Sequence, residues 1–153
     1  MQATVLFLCT GNYYRSRFAE ILFNHGAAQQ GINWMADSRG LATELGVNNV
    51  GPISRYAVAG LRARQIPIAA AEARFPAQLQ AADLATATLT IALDETEHRP
   101  YMTQRFPAWL DRIDYWRVAD LGLLPPTMPW RASKQRCWRC WNGARYRANG
   151  WAR

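Results

Sequence analysis

The sequence predicts an α/β domain built on a parallel sheet with helices on both faces. Three observations carry that expectation. Apolar, β-branched runs at residues 4–9, 88–93 and 113–118 alternate with stretches of helical periodicity. Those three runs end at or just before Cys9, Asp94 and Asp120, a small or acidic residue each time. A chain of 153 residues is about one domain, and half of its residues are hydrophobic, enough for a core.

In chain order, residues 4–9 read as a buried strand and residues 16–30 as a helix stopped by Gly31. Residues 33–38 are a second strand, and residues 40–53 form a loop containing Gly and Asn. Ser54 then caps a helix reaching Gln65, because a serine oxygen can accept from an exposed N–H of the first turn. A short helix is expected over 75–82 and a buried strand over 88–93. Residues 96–106 read as a helix interrupted by Pro100, which lacks the N–H the helix needs there. A fourth strand, 113–118, leads to Asp120. In such sheets ligands bind beyond the carboxyl ends of the strands, which puts Cys9, Asp94 and Asp120 where chemistry is expected.

Composition narrows the partners. The net charge of +7 is not spread evenly: residues 1–126 carry eleven arginines against eleven acids, while residues 127–153 carry seven basic residues and no acid. A uniform basic face is excluded, and no nucleic-acid partner is expected of the balanced body. No apolar run approaches the ~20 residues of a membrane span. The amino terminus lacks the basic and apolar regions of a signal peptide. Cys9, Cys137 and Cys140 make no disulfide framework, so a reducing cytoplasm is expected. His25 and His98 lie apart from any metal-ligand spacing, so no metal or cofactor is expected and both read as surface residues.

The most informative segment runs Val5-Leu6-Phe7-Leu8-Cys9-Thr10-Gly11-Asn12-Tyr13-Tyr14-Arg15-Ser16. A strand delivers one thiol into a loop that runs into a helix N-terminus, where backbone N–H groups and the helix dipole favour negative charge. Such a setting lowers a thiol pKa and cradles an oxyanion. Gly11 and Asn12 tolerate left-handed backbone, which a loop needs to turn several N–H groups toward one centre. Arg15, six positions after the cysteine, offers a planar fork matched to phosphate oxygens. A lone cysteine ending a strand is more often a small buried residue, and Arg15 alone an ordinary first-turn arginine. The combination Cys-x5-Arg-Ser around Gly and Asn reverses that.

This segment resembles the signature of the low-molecular-weight protein tyrosine phosphatases. The resemblance extends through Ile91-Ala92-Leu93-Asp94-Glu95-Thr96 to Tyr115-Trp116-Arg117-Val118-Ala119-Asp120, covering roughly residues 3–124. It implies a flavodoxin-like open sheet of four parallel strands, with residues 1–126 as the phosphatase domain. It implies a phosphocysteine mechanism on phosphotyrosine or aryl phosphate, with Cys9 as nucleophile, Arg15 as clamp and Asp120 as general acid. Backbone N–H groups of Thr10, Gly11, Asn12, Tyr13 and Tyr14 would hold the phosphate with Arg15. Ser16 would donate to the Cys9 sulfur, and Asn12 would keep the loop in its strained shape. Tyr13 stands equally as a rim residue or a packing residue. Asp94 and Glu95 either orient the loop or cap a helix.

The chain departs from the family pattern at several points. Asp120-Leu121-Gly122 stands where the family has Asp-Pro and an aromatic, Tyr14 where many members carry a second cysteine, and Arg17 where a proline is usual. Arsenate reduction is a further alternative: relatives with that activity use further cysteines near the third strand, and residues 60–100 contain none, which disfavours it unless the tail substitutes. An anion-binding module with weak catalysis is the alternative from another class, and a homo-oligomer is compatible with the sequence.

Residues 127–153 do not match the body, holding four of the seven tryptophans and both Cys137 and Cys140. Half a zinc site, a Trp/Arg surface for nucleic acid or anionic membrane, and a shifted reading frame are the competing readings. One choice of synonymous codons for 127–143, read one base earlier, encodes Asp-Asp-Ala-Leu-Ala-Arg-Ile-Glu-Ala-Ala-Val-Leu-Ala-Leu-Leu-Glu-Arg. That peptide has the apolar spacing of an amphipathic helix, and the family resemblance implies a final helix at this point.

Overall fold

The computed structural model describes residues 2–72 and 74–118, and the sheet is assembled around its first strand. That strand, β1 (Ala3–Cys9), is buried from Val5 to Cys9, as a strand covered on both faces must be. It pairs in parallel with β2 (Trp34–Gly40) on one side and β3 (Leu89–Ala92) on the other. β3 pairs in parallel with β4 (Asp114–Tyr115), giving the order β2-β1-β3-β4. The predicted four-stranded parallel sheet is therefore present. The chain passes first to one side of β1 and then to the other, so the crevice beyond the ends of β1 and β3 is the topological switch point where ligands are bound.

Both faces of the sheet are covered. Alternation along β1 sends Leu6 and Leu8 to one side, where they join Leu41, Leu79, Leu84, Ala92, Met102 and Ile113 in one cluster. Leu84 comes from α4 (Ala81–Thr86) and Met102 from α5 (Glu95–Arg105). On the other side Phe7 meets Phe23 of α1 (Arg15–Gln29) edge-on at 6.0 Å between ring centroids, and Trp116 at 6.1 Å. Each such buried side chain contributes on the order of 1.5–3 kcal/mol. α1 ends as the sequence requires, with Gly31 at φ 62° just past its last turn. α2 (Arg55–Arg62) starts at Ser54, whose side chain accepts from the Tyr56 N–H at 3.2 Å. It stops before the predicted end, and the chain turns through Gln65 at φ 57°. The loop of residues 40–53 holds one 3₁₀ turn, Thr43–Gly46, and a four-residue helix, α3 (Ala69–Glu72), follows α2.

Four expectations need correction. Residues 75–82 are not a helix. Pro76 disfavours a helical Phe75, and the segment pairs with the end of β2 instead. There Gly40 N–H donates to the Ala77 carbonyl and Leu79 N–H to that of Gly40, each at 2.8 Å. The helix begins at Ala81, and Asp83 Oδ2 accepts from the Gln80 N–H at 2.8 Å to cap it. Pro100 does not interrupt α5: His98 and Met102, both buried on either side of it, fasten the helix to the core, and that packing outweighs one missing bond. His98 is fully buried rather than at the surface, whereas His25 is half-buried on α1. β4 is short as a regular strand, Asp114–Tyr115, although backbone bonds to the end of β3 continue past it: Trp116 N–H donates to Ala92 and Val118 N–H to Leu93. Asp120, Cys137, Cys140 and the whole of 127–153 lie outside the described residues. No helix among the described residues is long and apolar enough to cross a membrane.

Truncating Leu8 to alanine in the fully buried strand should cost about 2–5 kcal/mol in urea unfolding. Val47→Ala, at a side chain 81% exposed, should leave stability within about 0.5 kcal/mol.

Candidate active site

The loop between β1 and α1 is shaped by one residue. Asn12 sits at φ 50°, in the left-handed region, and is fully buried. Its amide orientation is fixed by its neighbours. Oδ1 accepts from the Ala77 N–H at 2.9 Å and from Arg74 Nη1 at 3.2 Å, which only an oxygen can do. Nδ2 therefore faces the other way and donates to Ser16 Oγ at 2.9 Å and to Ser38 Oγ at 2.8 Å. Ser16 Oγ, an acceptor from Asn12, shares a hydrogen bond with the Cys9 sulfur, 2.9 Å away. The Asn12 backbone N–H donates to Cys9 Sγ, at 3.2 Å. The thiol is thus buried at the foot of the loop with two hydrogen-bond partners.

Beneath the loop the polar groups bond to one another. Ser38 Oγ donates to Glu20 Oε2 at 2.5 Å and accepts from Arg74 Nη2 at 3.0 Å. Arg74 Nη2 also reaches Glu20 Oε2 at 2.7 Å. Arg17 is fully buried and donates to the Arg74 carbonyl at 2.7 Å, so the residue replacing the family's proline faces the interior. Burial, and after it the neighbouring Arg74, pulls the Arg17 guanidinium below its ordinary range. Gly40, at the end of β2, is required by space: a Cβ there would lie 2.5 Å from Thr43 Cγ2 and 3.0 Å from the Thr10 carbonyl oxygen.

The other predicted residues are placed as follows. Arg15 is the first residue of α1 and is buried; its Nη2 donates to Glu97 Oε1 at 2.8 Å. Thr10 donates its hydroxyl to the same Glu97 oxygen. Tyr13 donates its hydroxyl to the Val50 carbonyl at 2.7 Å, tying the loop to the 43–53 segment. The Tyr14 ring stands 6.3 Å from that of Tyr56. Gly11 faces open space except for Asn49, 3.9 Å from where a Cβ would stand. Asp94 proves to be the helix cap, its Oδ1 accepting from the Glu97 N–H at 2.9 Å, and Glu95 pairs with Arg99 at 3.2 Å. The structure therefore brings Cys9, Asn12, Arg15 and Ser16 into one site and leaves Asp94 and Glu95 as parts of α5.

Sequence reasoning missed Glu97. Its carboxyl stands 3.6 Å from His98 Nε2 besides touching Arg15 and Thr10. The His98 imidazole first, then Arg15 and Thr10, hold it well below the usual carboxylate range despite partial burial. The available signal was an acid in the first turn of the helix after β3, but it points to the loop only once β3 is known to lie beside β1.

The chain and its fold resemble known proteins. A family model described as low molecular weight phosphotyrosine protein phosphatase matches residues 4–118, ending two residues before Asp120. The fold is similar to a solved low molecular weight protein tyrosine phosphatase from T. tengcongensis, with a TM-score of 0.70 and 26% identity, covering 87% of this chain and 91% of that one. It is similar to YfkJ from Bacillus subtilis, with a TM-score of 0.80 and 21% identity, over 96% and 97% of the two chains. An arginine phosphatase from Geobacillus stearothermophilus shares the fold at a TM-score of 0.64 and 23% identity, over 88% and 85%. No curated protein sequence matches the chain.

Two outcomes test this geometry. Asn12→Ala leaves buried donors and acceptors unpaired and should destabilise the fold by about 1–3 kcal/mol in urea unfolding. The depressed Glu97 carboxyl should stabilise the fold above the ordinary carboxylate value of about 4.3 and lose that contribution as pH falls below it. Between about pH 6 and pH 2.5 the wild type should accordingly lose more melting temperature than Glu97→Gln.

Proposed function

The chain belongs to the low molecular weight phosphotyrosine protein phosphatase family, and from that premise we propose that it hydrolyses phosphotyrosine or aryl phosphate monoesters through a phosphocysteine at Cys9. The observation that carries this reading is the pair of partners on the thiol, the donating Asn12 N–H at 3.2 Å and the Ser16 hydroxyl at 2.9 Å, which we take as a second donor during turnover. The thiolate is the nucleophile of such a step. The same donors make the sulfur a better leaving group in the second step.

In the first step the Cys9 thiolate attacks phosphorus, and the S–P bond forms as the bond to the phenolic oxygen breaks. Asp120 gives its proton to that departing oxygen. Loop N–H groups of Thr10, Gly11, Asn12, Tyr13 and Tyr14, with the Arg15 guanidinium, hold the three other oxygens while charge redistributes over them. In the second step Asp120 takes a proton from water, the water oxygen attacks phosphorus and the S–P bond breaks. Inorganic phosphate leaves and Cys9 is restored. The role of Asp120 comes from the family resemblance, since that residue lies outside the described residues. A loop of this kind works in a reducing compartment, where the thiol stays unoxidised. The substrate is a phosphotyrosine protein or a small aryl phosphate.

Turnover of p-nitrophenyl phosphate tests the reading. Wild type should hydrolyse it, Cys9→Ser should fall to background, and Asp120→Asn should lose about 10²–10⁴-fold in kcat. Equal rates for wild type and Cys9→Ser would sink the enzyme reading. An active wild type unaffected by Asp120→Asn would keep Cys9 and remove Asp120 from the mechanism.

A further inference from the structure

Glu97 meets the loop at both of its ends. Its Oε1 accepts from the Thr10 hydroxyl, one residue after the nucleophile, and from Arg15 Nη2 at 2.8 Å, at the start of α1. The carboxylate is itself held in place. Its backbone N–H donates to the capping Asp94 Oδ1 at 2.9 Å, on the first turn of α5. His98, fully buried, accepts from the Asp94 N–H through Nδ1 at 3.0 Å, so its ring proton is on Nε2. That nitrogen is 3.6 Å from Glu97 Oε1. The junction of β3 and α5 is thereby connected to both ends of the loop through one oxygen.

An arginine side chain carries roughly 2 kcal/mol of rotamer freedom. A clamp that must meet phosphoryl oxygens in one geometry is faster if that freedom is removed before substrate arrives, because a displacement of about 1 Å can cost about 10²-fold in rate. An ionised acceptor is the strongest partner for a guanidinium and leaves its planar fork oriented. Resting on the phosphatase reading above, we propose that Glu97 is a positioning residue for the phosphate loop, fixing the Arg15 guanidinium and the Thr10 hydroxyl from the neighbouring helix. It is not a proton donor, since its neighbours keep it ionised well below the pH of turnover.

The test uses the full chain with Glu97 changed to Ala, Asp and Gln, each checked for thermal melting. Glu97→Ala should lower kcat on p-nitrophenyl phosphate by about 10- to 100-fold. Glu97→Asp, one methylene short, should resemble it, while Glu97→Gln keeps an acceptor for both donors and should recover most of the rate. The shape of the kcat–pH profile should be unchanged in all three. In a ¹⁵N–¹H spectrum the Arg15 guanidinium signal should shift from its wild-type position in Glu97→Ala, which removes the partner of Nη2. Wild-type rates in Glu97→Ala, or an unmoved Arg15 signal, would overturn the proposal. Loss of one limb of the pH profile in Glu97→Gln would overturn it too, by making Glu97 a proton-transfer group. If Glu97→Ala fails to fold, the Asp and Gln variants decide by the same readouts. An inactive wild type would instead refute the phosphatase reading, and the Arg15 signal would still report on Glu97.

Discussion

The left-handed turn at Asn12 is the constraint on which the rest of this structure depends. A loop that turns the Asn12 N–H back onto the Cys9 sulfur must reverse its backbone within a few residues, and that reversal costs on the order of 1 kcal/mol or more for a residue with a side chain. Here the cost is offset by an amide whose two ends are both used: Ala77 and Arg74 on the oxygen, Ser16 and Ser38 on the nitrogen. Those partners come from α1, β2 and the segment before α4. The loop cannot adopt its shape unless all three are in position, so the fold and the site form together. The corrected segment 74–80 matters for this reason: as a helix it would not present the Ala77 N–H to Asn12.

Charge around the site follows the same logic. Arg15 and Arg17 stand two positions apart in α1, on different sides of the helix, and both are buried, which is costly without partners. Their surroundings differ. Arg17 is directed at backbone carbonyls and toward Glu20, beneath the loop, where it helps to complete the floor. Arg15 is directed at Glu97 and toward the Val118 carbonyl, on the side of the loop that faces the crevice. One arginine lies under the loop, and the other meets the Glu97 carboxylate. The balanced charge of residues 1–126 is consistent with this pairing, with cations of the site answered by local acids.

Much of this was legible because it is local. The run from Val5 to Ser16 states its strand, its turn residues and its helix start in consecutive positions, and Cys9, Asn12, Arg15 and Ser16 fall within one loop closure. The four parallel strands were readable from apolar runs and their spacing. What escaped depends on contacts distant in sequence. His98 reads as a polar residue on an exposed helix until the Asp94 N–H and the core beneath α5 are in place. Glu97 is 82 positions from Arg15 and meets it only through the β1–β3 pairing. Pro100 signals a break by local preference, and tertiary packing of His98 and Met102 overrides it. Residues 75–82 have helix-forming alanines, but the edge of β2 recruits their backbone instead.

The central claim is that the thiol at the end of β1 accepts the phosphoryl group during turnover. The most direct measurement is to quench wild type in acid during hydrolysis of p-nitrophenyl phosphate and map the modified peptide by mass spectrometry. The account predicts one added phosphoryl group on the peptide containing Cys9, chased away when water is allowed to complete the reaction. Turnover with the phosphoryl group on any other residue, or with no covalent species although an initial burst of p-nitrophenol shows the second step to be slower, would contradict it.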